Sequence, residues 1–165
     1  MIKHLFIIIL LLEVCNLQAQ ETVNFSIEAR QDIFLSLEGK PITFQEILEK
    51  NSGKTILIDI WAGWCKDCIV GMPIVKELQE EYKDVVFVFL SLDKDLPSWK
   101  RGIEKFGIEK GQHYFSTGGW QSPFNKSIDL DWVPRYIIVN KKGEMSLYKA
   151  TKASDRKIKR ILKAR

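Results

Sequence analysis

Two cysteines three positions apart, Cys65 and Cys68, are the residues of this chain best placed for chemistry. The thiolate, not the thiol, attacks a disulfide, and an unperturbed cysteine is only about 3% ionised at neutral pH. If Cys65 opens a helix, the free N–H groups and dipole of that helix stabilise its anion. A fall of ~1.5 pKa units there is worth about 2 kcal/mol and makes a large fraction thiolate. Cys65 then attacks, and Cys68, one turn further on, displaces the mixed disulfide. Between them Lys66 favours the thiolate and Asp67 opposes it. The potentials of such pairs span roughly 150 mV, about 7 kcal/mol for two electrons, so these two residues do not set a direction.

Asp59 is the second group of interest. It interrupts the apolar run at residues 54–60, and strand alternation turns it inward beneath the cysteine turn. A buried, unpaired carboxyl has its pKa raised, which suits a proton acceptor working through water on Cys68. An aspartate that only caps the end of a strand remains the plain alternative. A structural zinc wants four ligands, and two cysteines with the distant His113 do not supply them. No metal and no cofactor is expected.

These groups need a scaffold. The run at 54–60 is apolar on both faces except at Asp59, as expected of a central strand covered on two sides. A helical pattern follows Cys65 to about Tyr82, interrupted by Pro73, and residues 85–92 form a second buried strand, completing a β-α-β unit. Upstream, residues 21–30 read as a loose lead-in and 33–42 as a strand, turn and return. Thr43 opens a helix with Glu46 as its capping-box partner. Downstream come a helix within 93–107, a short strand at 113–116, a helical turn within 121–128, a hairpin turning at Gly143, and a last helix capped by Ser154. The result is one α/β domain built on a mixed sheet flanked by helices. Trp99, Trp120 and Trp132 read as scaffold, with Trp120 the best of the three for a groove.

The chain has 165 residues, three cysteines and a formal net charge of +4. That charge, without an arginine-rich or aromatic-interleaved basic tract, gives no footprint for nucleic acid. Lys3 and His4, an apolar core at residues 5–12 and Leu17-Gln18-Ala19 read as a secretory signal at 1–19, leaving a domain at 20–165. The apolar run is too short to span a bilayer. A lipid-modified Cys15 is the weaker alternative, because Glu13 and Val14 stand where small neutral residues are wanted. After cleavage only Cys65 and Cys68 remain, and a staple across two residues restrains little chain entropy, which favours a redox role.

Trp61-Ala62-Gly63-Trp64-Cys65-Lys66-Asp67-Cys68, with Asp59 before it and Pro73 beyond, resembles the active-site region of thioredoxins. The export signal, the lead-in hairpin, Met72-Pro73 and the αβ insertion between Leu92 and Val133 resemble the TlpA/ResA-like branch of exported thiol–disulfide oxidoreductases. Asp131-Trp132-Val133-Pro134 is similar to that family's cis-proline loop, and the resemblance covers about residues 34–162. It implies a thioredoxin-like fold with an N-terminal β-hairpin and a central αβ insertion. It also implies Cys65 as the attacking thiol, Cys68 as the resolving one, Asp59 as the buried acid and Trp64 as an exposed ring beside them. Pro134, in cis, would wall the substrate side, and the Val133 backbone would pair with an extended client segment. The sequence departs from many relatives in having Lys66-Asp67, without proline, between the cysteines and a neutral stretch after them.

The expected activity is therefore reduction of protein disulfides in the cell envelope, most simply the periplasm, by a monomer. Its partners would be a disulfide-containing client and a membrane thiol electron donor. A thiol-peroxidase-like enzyme on the same fold would need a lone cysteine in a Thr/Arg setting, which Cys65 lacks. A thiol- or copper-binding module is the alternative outside catalysis.

Overall fold

Among residues 24–165, which the computed structural model describes, seven strands form one mixed sheet in the order β2-β1-β5-β4-β3-β6-β7. In chain order these are β1 (Ile33–Leu35), β2 (Pro41–Thr43), β3 (Ile56–Trp61), β4 (Val86–Ser91), β5 (Gln112–Ser116), β6 (Arg135–Val139) and β7 (Met145–Ala150). The helices are α1 (Ile27–Gln31), α2 (Phe44–Lys50), α3 (Lys66–Glu81), α4 (Leu96–Phe106), α5 (Pro123–Ser127) and α6 (Arg156–Lys163), with a 3-10 turn at Gly119–Gln121. The N-terminal hairpin pairs β1 with β2, and the αβ insertion supplies α4 and β5. The expected thioredoxin-like architecture is present. The signal at 1–19 and Cys15 lie outside the described residues.

Strand β3 is the axis. All six of its residues are buried, and it runs parallel to β4 and antiparallel to β6. Its alternate residues leave on opposite faces of the sheet. Asp59 and Trp61 point to the face covered by α3 and α4, where a Cβ on Gly102 of α4 would stand 3.2 Å from the Trp61 ring. The two helices are tied by Lys76 Nζ donating to the Phe106 carbonyl at 2.7 Å, and Lys159 of α6 donates to Glu81 of α3 at 2.8 Å.

The opposite face carries a cluster of four phenylalanines. Phe44 of α2 lies 4.7 Å from Phe25 and 4.5 Å from Phe124 of α5, and Phe34 of β1 lies 5.8 Å from Phe124, measured between ring centroids. Burying a side chain of this size contributes about 1.5–3 kcal/mol. The cluster corrects one expectation. The lead-in is not loose over its described part: Ser26 accepts from Ala29 N at 3.1 Å to open α1, and Phe25 packs into the core.

Local signals account for most helix ends. Thr43 Oγ1 accepts from Glu46 N at 3.2 Å and the Glu46 carboxylate accepts from Thr43 N at 2.7 Å, completing the capping box. Helix α3 runs through Pro73 to Glu81. The last helix is capped one residue later than expected: Asp155, not Ser154, accepts from Lys157 N at 2.8 Å. Gly143, with φ of +83°, makes the β6–β7 turn in the left-handed region that a side chain would strain.

Candidate active site

The end of β3 delivers the chain into a turn held from two sides. Cys65 N donates to the Ala62 carbonyl at 3.0 Å. Gly63 N donates to both carboxylate oxygens of Asp93, at 3.0 and 3.2 Å, and Asp93 also accepts from Ser91 Oγ at 2.9 Å. A Cβ on Gly63 would stand 3.3 Å from Asp93 Oδ1, so glycine permits this close approach. Asp93 is a positioning residue that sequence reasoning did not identify. Its only local sign is Ser91-Leu92-Asp93 at a strand end; the Trp61–Ser91 register places it against the turn.

The turn makes Cys65 the N-cap of α3. Its Sγ accepts from Cys68 N at 3.1 Å, so one of the otherwise unpaired N–H groups of the helix start points at the sulfur. That is the arrangement which stabilises a thiolate. The two cysteines are joined as a disulfide, with Cα atoms 5.3 Å apart. Cys68 is wholly enclosed while Cys65 keeps 6% of its surface exposed, so the first sulfur is the one a partner can reach. Lys66 and Asp67 both face solvent, where their opposed fields are screened.

Opposite lies the Val133–Pro134 loop, its peptide bond cis. The Val133 carbonyl oxygen stands 3.4 Å from Cys65 Sγ. Val133 and Pro134 are buried, whereas Trp64 and Trp132 expose more than half their surface, 58% and 59%. Arg135, buried just after the proline, ties the loop down by pairing with the Asp131 carboxylate and donating to the Ile128 carbonyl at 3.3 Å. Trp99 is buried scaffold. Trp120, read as scaffold but as the best of the three for a groove, is less exposed (37%) than Trp132, which adjoins Val133. Sequence could not rank them, because their exposure depends on how this loop packs.

Depressions flank the cysteine turn. One, of about 450 Å³, is lined by Asp67, Val70, Gly71, Ile74, Pro134 and Ala153. The other, of about 740 Å³, lies on the far side of Trp64, with Lys94, Arg101 and Lys105 along it.

Beneath the turn a buried row crosses the sheet on the α3 face: Tyr136 on β6, Asp59 on β3, Phe89 on β4 and His113 on β5, each in register with the next. Neither Asp59 oxygen has a hydrogen-bond partner among the described residues, and burial pushes its carboxyl up to about 8. Burial pushes His113 down to about 4, so its ring is neutral at pH 7, and it stacks on Phe89 at 4.7 Å. Phe89 thereby separates the histidine from Asp59. Among the described residues, no three His, Cys, Asp or Glu side chains are grouped so that they could hold a metal.

Comparison with known proteins agrees with this geometry. A thioredoxin-like family model matches residues 53–145. The thiol-disulfide oxidoreductase ResA of Bacillus thuringiensis (strain Al Hakam) is 30% identical over 108 residues, covering 61% of this chain and 60% of that protein. The chain thus spans about 60% of the length of the curated relatives it matches first. Among solved structures, the thioredoxin domain of the thiol-disulfide oxidoreductase BVU-2223 from Bacteroides vulgatus superposes with a TM-score of 0.68 at 17% identity, covering 85% of this chain and 98% of that one. The DsbF structure from Mycobacterium tuberculosis, in mixed oxidised and reduced forms, gives 0.67 at 19% identity, covering 83% and 96%. These two share the fold. With over half its length matched by the family model and a cysteine pair capping the helix after its central strand, this chain belongs to the thioredoxin-like family.

Proposed function

We propose that this protein is an exported thiol–disulfide oxidoreductase that reduces disulfides in client proteins. The observation that carries the reading is the position of Cys65: helix N-cap, accepting from Cys68 N, slightly exposed, and across from the carbonyl that precedes cis-Pro134. In the reduced enzyme the Cys65 thiolate attacks one sulfur of a client disulfide, and the other client sulfur leaves as a thiolate. The Cys68 thiol then gives its proton to the ionised form of Asp59, whose raised pKa makes it a stronger base than an ordinary carboxylate. The Cys68 thiolate attacks Cys65 Sγ, breaks the mixed disulfide and frees the second client thiolate. The enzyme is left as the Cys65–Cys68 disulfide, and a membrane thiol donor returns two electrons and two protons.

Trp64 and Pro134 serve as the walls of the client site, and the Val133 backbone as its edge for an extended segment. The reductive direction rests only on the resemblance of the cysteine motif and the Val133-Pro134 loop to the TlpA/ResA-like branch. Export, to the periplasm in a cell with two membranes, rests on Lys3, the apolar run at 5–12 and Ala19, with the mature chain starting at Gln20.

Reduction of insulin by a thiol donor tests the activity. Cys65→Ser is expected to abolish catalysed turnover, because no nucleophile remains at the exposed position. Unchanged turnover in that variant would sink the mechanism.

A further inference from the structure

The hydroxyl oxygen of Tyr136 lies beside Gly71, which lines the groove next to Pro134, and Tyr136 shares its sheet face with the buried Asp59. Tyr136 and Asp59 are register partners across β6 and β3, so both side chains leave the sheet on the α3 face. The tyrosine is fully buried, and its Oη, like both Asp59 oxygens, has no hydrogen-bond partner among the described residues. Over Oη the helix has no side chain. A Cβ on Gly71 would stand 3.0 Å from Oη and 3.7 Å from the Ala153 Cβ. Gly71 and Ala153 also line the 450 Å³ groove beside Pro134. The hydroxyl therefore lies just beneath the groove, under a notch opened by glycine.

A buried hydroxyl with no partner costs about 1–3 kcal/mol, and phenylalanine would fill the same shape without that cost. Unpartnered buried polar atoms grouped on one face are the setting in which an ordered water bridges protein groups. We propose that Tyr136 is a positioning residue for Asp59: its hydroxyl donates through a bridging water to the Asp59 carboxylate and connects that carboxylate to the groove under Gly71. The inference rests on the reading of Asp59 as the proton acceptor for Cys68. It supplies what that reading lacks, a route by which a fully enclosed carboxyl exchanges its proton with solvent. A hydroxyl both accepts and donates, so protonated Asp59 gives its proton to the bridging water, the water gives one to the Tyr136 oxygen, and Tyr136 releases its own to solvent in the groove, leaving the tyrosine neutral and Asp59 ionised.

While Cys65 and Cys68 are joined, no other ionisable group among the described residues competes for Asp59. Across the sheet it faces Phe89, with neutral His113 beyond that ring. The buried side chains of α3 are Cys68, Met72, Val75, Leu78 and Gln79; those of α6 are Ile158 and Leu162; α4 contributes Trp99 and Ile103. Burial and the Asp59 charge both raise the tyrosine pKa, so Tyr136 keeps its proton and remains a donor.

The test is titration of the Asp59 carboxyl carbon by NMR in the oxidised protein, with Asp59→Asn identifying the resonance. Loss of a donor makes the ionised form less favourable. In Tyr136→Phe the midpoint is expected to rise by about one pH unit, a tenfold fall in the acid dissociation constant. An unchanged or lowered midpoint overturns the proposal. No client is needed, so this outcome is independent of the proposed function. A raised midpoint with an unaltered pH dependence of insulin reduction would uphold the Tyr136–Asp59 link and remove Asp59 from the proton step.

Discussion

The two faces of the sheet are built on opposite terms. On one, Phe25, Phe34, Phe44 and Phe124 join α1, α2 and α5 to the hairpin without a polar atom among their side chains. On the other, Tyr136, Asp59 and His113 are buried in one row, and the Tyr136 hydroxyl and both Asp59 oxygens have no hydrogen-bond partner among the described residues. Such groups cost free energy wherever they are buried. The phenylalanine cluster and the row holding Asp59 separate a region that stabilises from a region arranged for chemistry; the buried polar side chains beside the phenylalanines include Asp32, which accepts from Phe124 N at 3.1 Å, and Asn51, which donates to the Ile47 carbonyl at 2.8 Å. The same strand, β3, serves both by alternation.

That contrast can be broken from either side. The largest expected effect is on the phenylalanine face: Phe124→Ala should destabilise the fold by about 3–5 kcal/mol in denaturant unfolding. The folded fraction should reduce insulin at the wild-type rate. A specific loss of activity in folded protein would show that the faces are not independent.

The next effect is a pH dependence of stability. Asp59 is raised from 3.8 to about 8, so the folded state holds its proton over that range and stability falls as pH rises toward 8. His113 is lowered from 6.5 to about 4, so the folded state lacks its proton there and stability rises with pH up to 6.5. The two slopes oppose each other between 4 and 6.5, and only that of Asp59 remains above. From pH 6.5 to 8 the oxidised protein should therefore lose roughly 2 kcal/mol, at about 1.4 kcal/mol per pH unit. Asp59→Asn should be flat in that window and rise with pH below it. A wild-type stability that is level from 6.5 to 8 would mean that burial does not hold the Asp59 proton in the folded state.

The smallest test concerns the helix that closes the reactive face. Asp155→Ala should cost about 1 kcal/mol through loss of the α6 cap, and Ser154→Ala close to nothing. The reverse order would restore the cap expected from sequence.

What could be read in advance was whatever depends on neighbours in the chain. The C-x-x-C pair, the inward turn of Asp59 in an apolar strand and the Thr43–Glu46 box all involve spacings of three residues or fewer. The loop before Pro134 was legible only through resemblance. What escaped depends on register between distant segments. Asp93 reaches Gly63 because Ser91 pairs with Trp61, and Tyr136 meets Asp59 because β6 returns antiparallel beside β3. No local pattern announces either pairing. Helix α1 escaped because five residues have little helical preference alone and are held by Phe25 in a tertiary cluster. The cap of α6 was misplaced because serine and aspartate, both good caps, stand side by side.

The central claim is the division of labour between the cysteines, and trapping tests it most directly. Cys68→Ser, reduced and then mixed with a disulfide-bonded client, should accumulate a covalent adduct through Cys65, released by added thiol. Cys65→Ser should form none, because the remaining sulfur is enclosed. An adduct formed through Cys68 in Cys65→Ser, or none in Cys68→Ser, would contradict the account.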